Sequence, residues 1–276
     1  MSSGRQELSV AAADHLLASL SGTKTVGREV ADVHFPPGIK WKSADVRGVV
    51  FRNVDWPGPG IKGGLFRRAH IQECRFEKVN LDSLRCRKVD FVDCRFEAVT
   101  FGEHYFGNFN DCTFLRCTFI KCRFDAVGFM ESTLRSCRFE AIKGERTRWR
   151  ECLLEDVTMS GSLAKSHFID SRLREVDLSK VEFLDSVILG GEQNEVCLPD
   201  EPRNFAVDPK VMLAAEDQLR SKLNTEALAR YRHFVEGVTQ IGSRFLVNPE
   251  VLSVLSPESR EIVMATLYEM RHSSRS

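Results

Sequence analysis

A large apolar residue returns at every fifth position through the middle of this chain: Phe51, Trp56, Ile61, Phe66, Ile71, Phe76, Leu81, Cys86, Phe91, Phe96 and Phe101. The register then moves by three and resumes at Phe109, Phe114, Phe119, Phe124, Phe129, Leu134, Phe139, Gly144, Trp149, Leu154 and Met159. A slip of one residue near Ala164 leads into Phe168, Leu173, Leu178, Phe183 and Ile188. Two places before most of these stands a small or β-branched residue, as at Val54, Val89, Cys122 and Val176, and polar residues fill most of what remains. A period of five is neither the 3.6 of a helix nor the 2 of a strand. It suits a chain that runs straight for a few residues and then turns a corner, with the large and the small residue both pointing inward.

Segments such as CRFEK (74–78), VDFVD (89–93), CRFEA (94–98), CTFIK (117–121), CRFDA (122–126) and VDLSK (176–180) resemble the motif of the pentapeptide-repeat family: a small residue, a polar one, a central Leu or Phe, then two variable residues. The resemblance covers about half the chain. It implies a mainly β solenoid, a right-handed four-sided β-helix with four pentamers per turn. Turns stacked at about 4.8 Å through strand-type hydrogen bonds make about seven coils a rod on the order of 33 Å long. Each buried large side chain contributes roughly 1.5–3 kcal/mol. Gly144 and Ala164 at central positions, and Pro59 and Gly64 at small ones, predict local irregularity.

Counting pentamers in fours assigns faces, provided the register shifts add no whole side. One face then stacks Trp56, Phe76, Phe96, Phe119 and Phe139, with Cys74, Cys94, Cys117 and Cys137 in its small column. Buried cysteine is usually inert packing, and a redox or metal role is the alternative. Another face gathers Arg67, Arg68, Arg85, Arg87 and Lys88, with Arg67 above Arg87. Like charges stacked in a ladder cost stability. This corner is either a solvated face relieved by acids such as Glu73 and Asp90, or a contact site for an acidic partner or a nucleic-acid backbone.

The register shift leaves GEHYFGN (102–108) three residues longer than the coil requires, and insertions in solenoids are pushed outward. His104 and Tyr105 are therefore candidate contacts, or a local packing pair. In KGERTRWRE (143–151), Arg146, Arg148 and Arg150 surround Trp149, whose phase puts it in the core.

The flanks are helical. Ser9 to Leu20 reads as a short amphipathic helix that caps the first coil, within a cap segment spanning 1–44 ahead of repeats at 45–192. A linker over 193–207, including LPDEP (198–202), leads to a helical region at 208–276 with helices near 209–223, 225–241, 249–255 and 257–271. Three begin with Pro after Asp208, Asn248 and Ser256, the residue types that cap helices. This bundle closes the coil, forms a homodimer, or binds a partner itself.

Composition narrows the function. The 276 residues balance 39 basic against 39 acidic side chains. No stretch reaches the roughly 18 apolar residues of a membrane span, and the N-terminus lacks the basic start of a secretory signal, so a cytoplasmic protein is expected. Nine cysteines with no C-x-x-C pair suggest reduced thiols. The sequence holds no G-x-x-x-x-G-K-[ST], no H-E-x-x-H and no G-x-S-x-G, and Cys197 has too little chain after the coil to build a catalytic domain around it. No enzyme activity and no cofactor or metal is expected.

Within the family that the motifs resemble, well-understood members imitate duplex DNA and bind type II topoisomerases, protecting them from quinolones or peptide toxins. Such mimicry needs a strongly negative surface, because DNA carries a charge about every 1.7 Å. Residues 45–192 hold 24 Lys plus Arg and 23 Asp plus Glu, with no acidic side in the count by faces. The balance points to a non-catalytic protein-binding scaffold, with topoisomerase (DNA gyrase) protection as the alternative and a delivered effector or nucleic-acid-binding module as the second alternative.

Overall fold

In the computed structural model, which describes residues 5–20, 26–39, 41–42, 45–58, 61–62, 64–102, 109–184, 188–239 and 245–273, each pentamer lays one short strand on one side of a four-sided coil. His70–Gln72, for example, pairs in parallel with Val50–Arg52 on the preceding turn and Asp90–Val92 on the next. The insertion at 102–108 adds no side, since Phe96 pairs with Phe119 and Phe101 with Phe124 across it. Counting by fours therefore holds, and the central residues form four buried columns.

The corners explain the rest of the motif. Two places after most central residues the backbone enters the left-handed region, as at Lys78 (φ 53), Ala98 (φ 52), Lys121 (φ 53) and Ala141 (φ 50). That conformation costs roughly 1–2 kcal/mol for a residue with a Cβ, and the corner amide offsets it with a bond to the next turn: Lys78 N–H donates to Glu97 O at 2.8 Å and Ala98 N–H to Ile120 O at 2.8 Å. The small column faces the bend from inside. Its Cys, Ser and Thr side chains donate to main-chain carbonyls there, Cys94 Sγ to Ile71 O at 3.2 Å, Thr147 Oγ1 to Phe124 O at 2.8 Å and Ser171 Oγ to Trp149 O at 3.1 Å. A residue short enough to fit and able to donate thus satisfies carbonyls that would otherwise be buried without a partner.

Two turns are one residue short on a side, and each places a glycine there. Met159 is followed by Leu163 as the next buried central residue, with Gly161 at φ 119, and Leu189 precedes Gln193 with Gly191 at φ 97. A Cβ on Gly161 would lie 2.1 Å from Ile142 O, and one on Gly191 2.1 Å from Ser171 O. The slip expected at Ala164 therefore lies before it: Leu163 takes the inward position and Ala164 does not. Leu163 also fills the space left by Gly144, where a Cβ would come within 2.6 Å of its Cδ2. Likewise the central position expected at Ile188 belongs to Leu189, which pairs with Phe168.

The coil is longer than the repeats suggested, about eight turns instead of seven. Glu29–Ala31 already pairs with Val50–Arg52, and Gln193–Cys197 pairs with the strand at Arg172–Leu184, so strands of the solenoid run into the segments expected as cap and linker. Degenerate side chains hide these turns from the sequence, because neither end needs a full set of large central residues.

Both ends are covered. Helix α1 (Val10–Ser19), N-capped by Ser9, buries Ala13 and Leu17 in the coil core together with Leu20. At the other end Asn204–Val207 and Phe245–Val247 form an antiparallel pair joined to Ile188–Leu189. Alternation divides this pair between two cores: Ala206 and Leu246 complete the coil, while Phe205, Val207 and Val247 pack with helices α2 (Pro209–Leu219), α3 (Thr225–Thr239) and α4 (Pro257–Ser273). The amides of Asn204 and Asn248 donate to Val181 O at 3.1 Å and Phe183 O at 2.9 Å, ending the ladder with side chains in place of another strand. The helical region thus closes the coil. The helix expected at 249–255 is a run of turns, held by Asn248 Oδ1 accepting from Val251 N–H at 3.0 Å and by bonds such as Leu255 N–H to Leu252 O. Seven residues between Asn248 and Ser256 leave too little length for a stable helix.

Candidate functional site

Seven of the ten basic or loop residues singled out by sequence fall on one face. It is a sheet whose successive strands include Asp45–Arg47, Leu65–Arg67, Arg85–Arg87, Phe109–Asn110, Gly128–Met130 and Arg148–Arg150, and which runs on into the C-terminal antiparallel pair. Arg47, Arg67 and Arg87 stand on consecutive rungs of one column. Arg85 flanks the same column, and Arg68 and Lys88 occupy its corner. A surface cavity of about 440 Å³ lies among Arg47, Leu65, Arg67, Arg68, Arg87 and Lys88.

Farther along the sheet Arg148 and Arg150 flank Trp149, which is buried as expected between Phe129 and Phe168, with ring centroids 5.9 and 4.4 Å away. The two arginine groups are separated by a saddle of Asn110, Gly128 and Met130, strand positions without charge, although the adjoining corner carries Asp111 and Glu131. Beyond Arg148 the next rung carries His167, whose pKa is lowered by burial and by the Arg148 charge, so it stays neutral near pH 7. Arg146 lies off this face, at the preceding corner, 3.6 Å from Glu145. His104 and Tyr105 lie outside the described residues.

What distinguishes this face is how its charges are answered. Elsewhere a strand pairs its own ends: Arg75 with Glu77 at 3.0 Å, Arg95 with Glu97 at 3.0 Å, Arg123 with Asp125 at 2.7 Å and Arg138 with Glu140 at 3.5 Å. On the arginine face two rungs read Arg-x-Arg, at 85–87 and 148–150, so neither end can neutralise the other. Lys88 reaches Asp111 at 3.3 Å, Arg67 only approaches Asp45 at 3.9 Å, and Arg150 pairs with Glu151 at 3.1 Å. Among the described residues Arg68, Arg85, Arg87 and Arg148 have no carboxylate within ion-pair distance. The Glu73 and Asp90 that the sequence offered as relief belong to the adjacent face. Among the described strands of the coil an Arg-x-Arg rung occurs once more, at Arg172 and Arg174, on that adjacent face.

Residues 105–165 match the family model for the pentapeptide repeat region. The coil is a pentapeptide-repeat β-helix. Among solved structures, the chain overlays on QnrB1, a plasmid-mediated fluoroquinolone resistance protein, at 14% identity with a TM-score of 0.33, over 62% of this chain and 84% of that one. It also overlays on HetL, a pentapeptide-repeat protein involved in heterocyst differentiation regulation in the cyanobacterium Nostoc sp. strain PCC 7120, at 10% identity with a TM-score of 0.24, over 69% of this chain and 95% of that one. Neither overlay carries a functional inference. No curated protein matches the sequence.

The pentapeptide coil also has an acidic side, contrary to the count by faces. On the face centred on Phe51 and Phe91, outward positions hold Glu29, Asp32, Glu73, Asp90, Asp93, Glu155, Asp156, Glu175, Glu192 and Glu195 against Arg52, Arg116, Arg135, Arg172 and Arg174. Three of these acids, Glu29, Asp32 and Glu195, lie outside 45–192, in turns the repeat pattern did not reveal. Several are neutralised by the turn beside them, as Asp93 is by Arg116 at 2.6 Å, which holds the Asp93 carboxyl below the usual range. Asp156, Glu175 and Glu195 form an unpaired corner ridge among the described residues.

The stacked cysteines are packing groups. Eight of the nine thiols are buried and unbridged, and only Cys197 is exposed. Burial pushes the Cys112, Cys122 and Cys152 thiols up to about 12, so the reactive thiolate is scarce at neutral pH. Among the described residues no cluster of His, Cys, Asp and Glu could hold a metal ion. A disulfide reagent at pH 8 is expected to label one thiol of the native protein rapidly and all nine after denaturation; fast labelling of several thiols in the folded state would sink this account.

Proposed function

We propose that this pentapeptide-repeat protein is a non-catalytic scaffold, acting in the cytoplasm, that binds an acidic protein surface on its arginine face. The observation that carries the reading is the contrast between the self-neutralised rungs at 75–77, 95–97, 123–125 and 138–140 and the two Arg-x-Arg rungs on this sheet. Stacking Arg67 on Arg87 costs stability in the free protein. An acidic partner relieves that repulsion on binding. The sheet is rigid, so it presents its charges with little ordering cost.

The test is charge reversal. Arg85→Glu/Arg87→Glu is expected to weaken binding of the cognate acidic protein at least tenfold, with the fold unchanged by circular dichroism. Proteins retained by the wild type and by the double variant are compared by mass spectrometry. Identical sets would overturn the proposal.

A second reading, action on a type II topoisomerase, draws support from the ridge of Asp156, Glu175 and Glu195, whose rungs repeat at about 4.8 Å as a series of negative charges. Gyrase supercoiling with and without the protein, in the presence of a gyrase poison, tests it. Neither inhibition nor protection would dispose of it.

A further inference from the structure

The spacing of the arginine face says what kind of acidic surface fits it. We infer that the partner segment is an acidic amphipathic α-helix lying along the coil axis, an inference that rests on the reading of this face as an acid-binding surface. Arg47, Arg67 and Arg87 repeat once per turn of the coil, at about 4.8 Å. An α-helix returns a side chain to the same face with a pitch of 5.4 Å, through i,i+3 and i,i+4 steps that rise about 4.5 and 6.0 Å. Over the two steps from Arg47 to Arg87 the mismatch accumulates to about 1 Å, well within the reach of arginine side chains. Three carboxylates at i, i+3 and i+7 therefore meet three rungs.

An extended acidic peptide fits less well. Its same-face carboxylates recur about every 6.7 Å, so it is out of step with the ladder after a single rung.

The remainder of the sheet extends the match. Arg148 and Arg150 lie three rungs beyond Arg87, about 14 Å, which corresponds to nine or ten helical residues. Between them Gly128 leaves the surface without a side chain and Met130 supplies a half-buried, adaptable apolar one. The complementary helix is thus about 18 or 19 residues long. It has carboxylates on one face over its first two turns, an apolar residue over the saddle, and a carboxylate near its end. The cavity among Arg67, Arg68 and Arg87 takes the first of these turns.

Fluorescence anisotropy at about 0.15 M salt tests this with the full-length protein and four probes. They are a 19-residue helical peptide carrying Glu on one face at i, i+3, i+7 and i+18, a same-composition peptide with its Glu residues spread round the helix, a proline-interrupted peptide, and an 18-base-pair duplex DNA. The one-face helix is expected to bind at least tenfold more tightly than the other three. Arg67→Glu/Arg87→Glu should lower its affinity at least thirtyfold, while Arg172→Glu/Arg174→Glu, the same motif on the neighbouring face, should change it less than twofold.

Equal binding by all three peptides, lost on reversal of Arg67 and Arg87, would overturn the helix and leave an acidic partner in place. Tighter binding by the duplex would overturn it in favour of a phosphate backbone. No binding by any probe would overturn the helix by itself. If Arg85→Glu/Arg87→Glu also left the retained proteins unchanged, the acid-binding reading would fall too.

Discussion

Gly161→Ala is expected to destabilise the protein by roughly 2–6 kcal/mol, combining the strain of a left-handed backbone (~1–3 kcal/mol) with the main-chain displacement forced by overpacking (~1–3 kcal/mol). The methyl group would sit 2.1 Å from the carbonyl oxygen, 2.5 Å from the nitrogen and 2.9 Å from the carbonyl carbon of Ile142, and all three are backbone atoms in a paired strand. Nothing there is the flexible end of a side chain. The dive at Gly161 lets a side of the coil close with one residue fewer and still present Leu163 to the hole above Gly144, so moving it disturbs two turns together. Ala141→Gly is the control. Ala141 is at φ 50 on an ordinary corner, where relief of about 1–2 kcal/mol is largely offset by the roughly 0.5–1 kcal/mol that glycine loses to unfolded-state freedom. Urea unfolding followed by circular dichroism compares them. A Gly161→Ala midpoint indistinguishable from that of Ala141→Gly would refute the account of the short turn.

The difference between these glycines also marks where the sequence was legible. The five-residue period announced the coil because every regular pentamer carries its own evidence, a large residue and a small one two places apart. Counting by fours worked across 102–108 because the columns on either side stay in register, Phe96 pairing with Phe119 and Phe101 with Phe124. The short turn expected near Ala164 was mislocated and the one at Gly191 was not seen, because a missing residue shows only as a slip, whose position could be fixed by recognising that only a glycine, as at Gly161 and Gly191, approaches the strand on the preceding turn so closely. The end turns were missed for a different reason. Val30 and Phe35 are central residues in the first turn, but the helix and the masking of the pattern by Pro36 and Pro37 hide their period. At the other end the last turn puts Gln193, a polar residue, at a central position.

The candidate site was half legible. Arg67, Arg68, Arg85, Arg87 and Lys88 were found as a cluster because they are close in sequence. Arg148 and Arg150 were singled out with Arg146 as a separate cluster around Trp149, although counting four pentamers per turn, with the three-residue shift allowed for between Arg87 and Asn110, leads through Met130 to Arg150 on the same column. What the sequence could not supply was the contrast in pairing. An Arg-x-Glu rung is self-neutralising only because both ends of a three-residue strand point outward on the same side, as Arg75 and Glu77 do at 3.0 Å. Once that geometry is known, Arg-x-Arg becomes a signal readable from sequence alone.

Phe119→Ala is expected to cost about 3–5 kcal/mol, the range for deleting a buried aromatic ring. Phe119 is the middle of a continuous stack, 4.7 Å from Phe96 and 4.5 Å from Phe139 with ring planes within 9° of parallel, and it meets Phe101, Phe114 and Phe124 at 5.8–6.2 Å. The strands holding it cannot close in, because their separation is set by main-chain hydrogen bonds on both sides, so most of the vacated volume stays empty. Phe119→Leu should cost about half as much, since it keeps most of the contact surface while losing the ring overlap. In a solenoid each turn contacts only its neighbours, so a weak turn in the middle also divides the rod. The variant is therefore expected to unfold in two steps, with Trp149 fluorescence, read in a background where Trp41 and Trp56 are replaced by Phe, reporting the C-terminal half separately from the circular dichroism of the whole. Leu178→Ala, near the covered C-terminal end, should lower the midpoint without splitting the transition. A single transition for Phe119→Ala, shifted no more than that of Leu178→Ala, would show that the aromatic column does not couple the two halves.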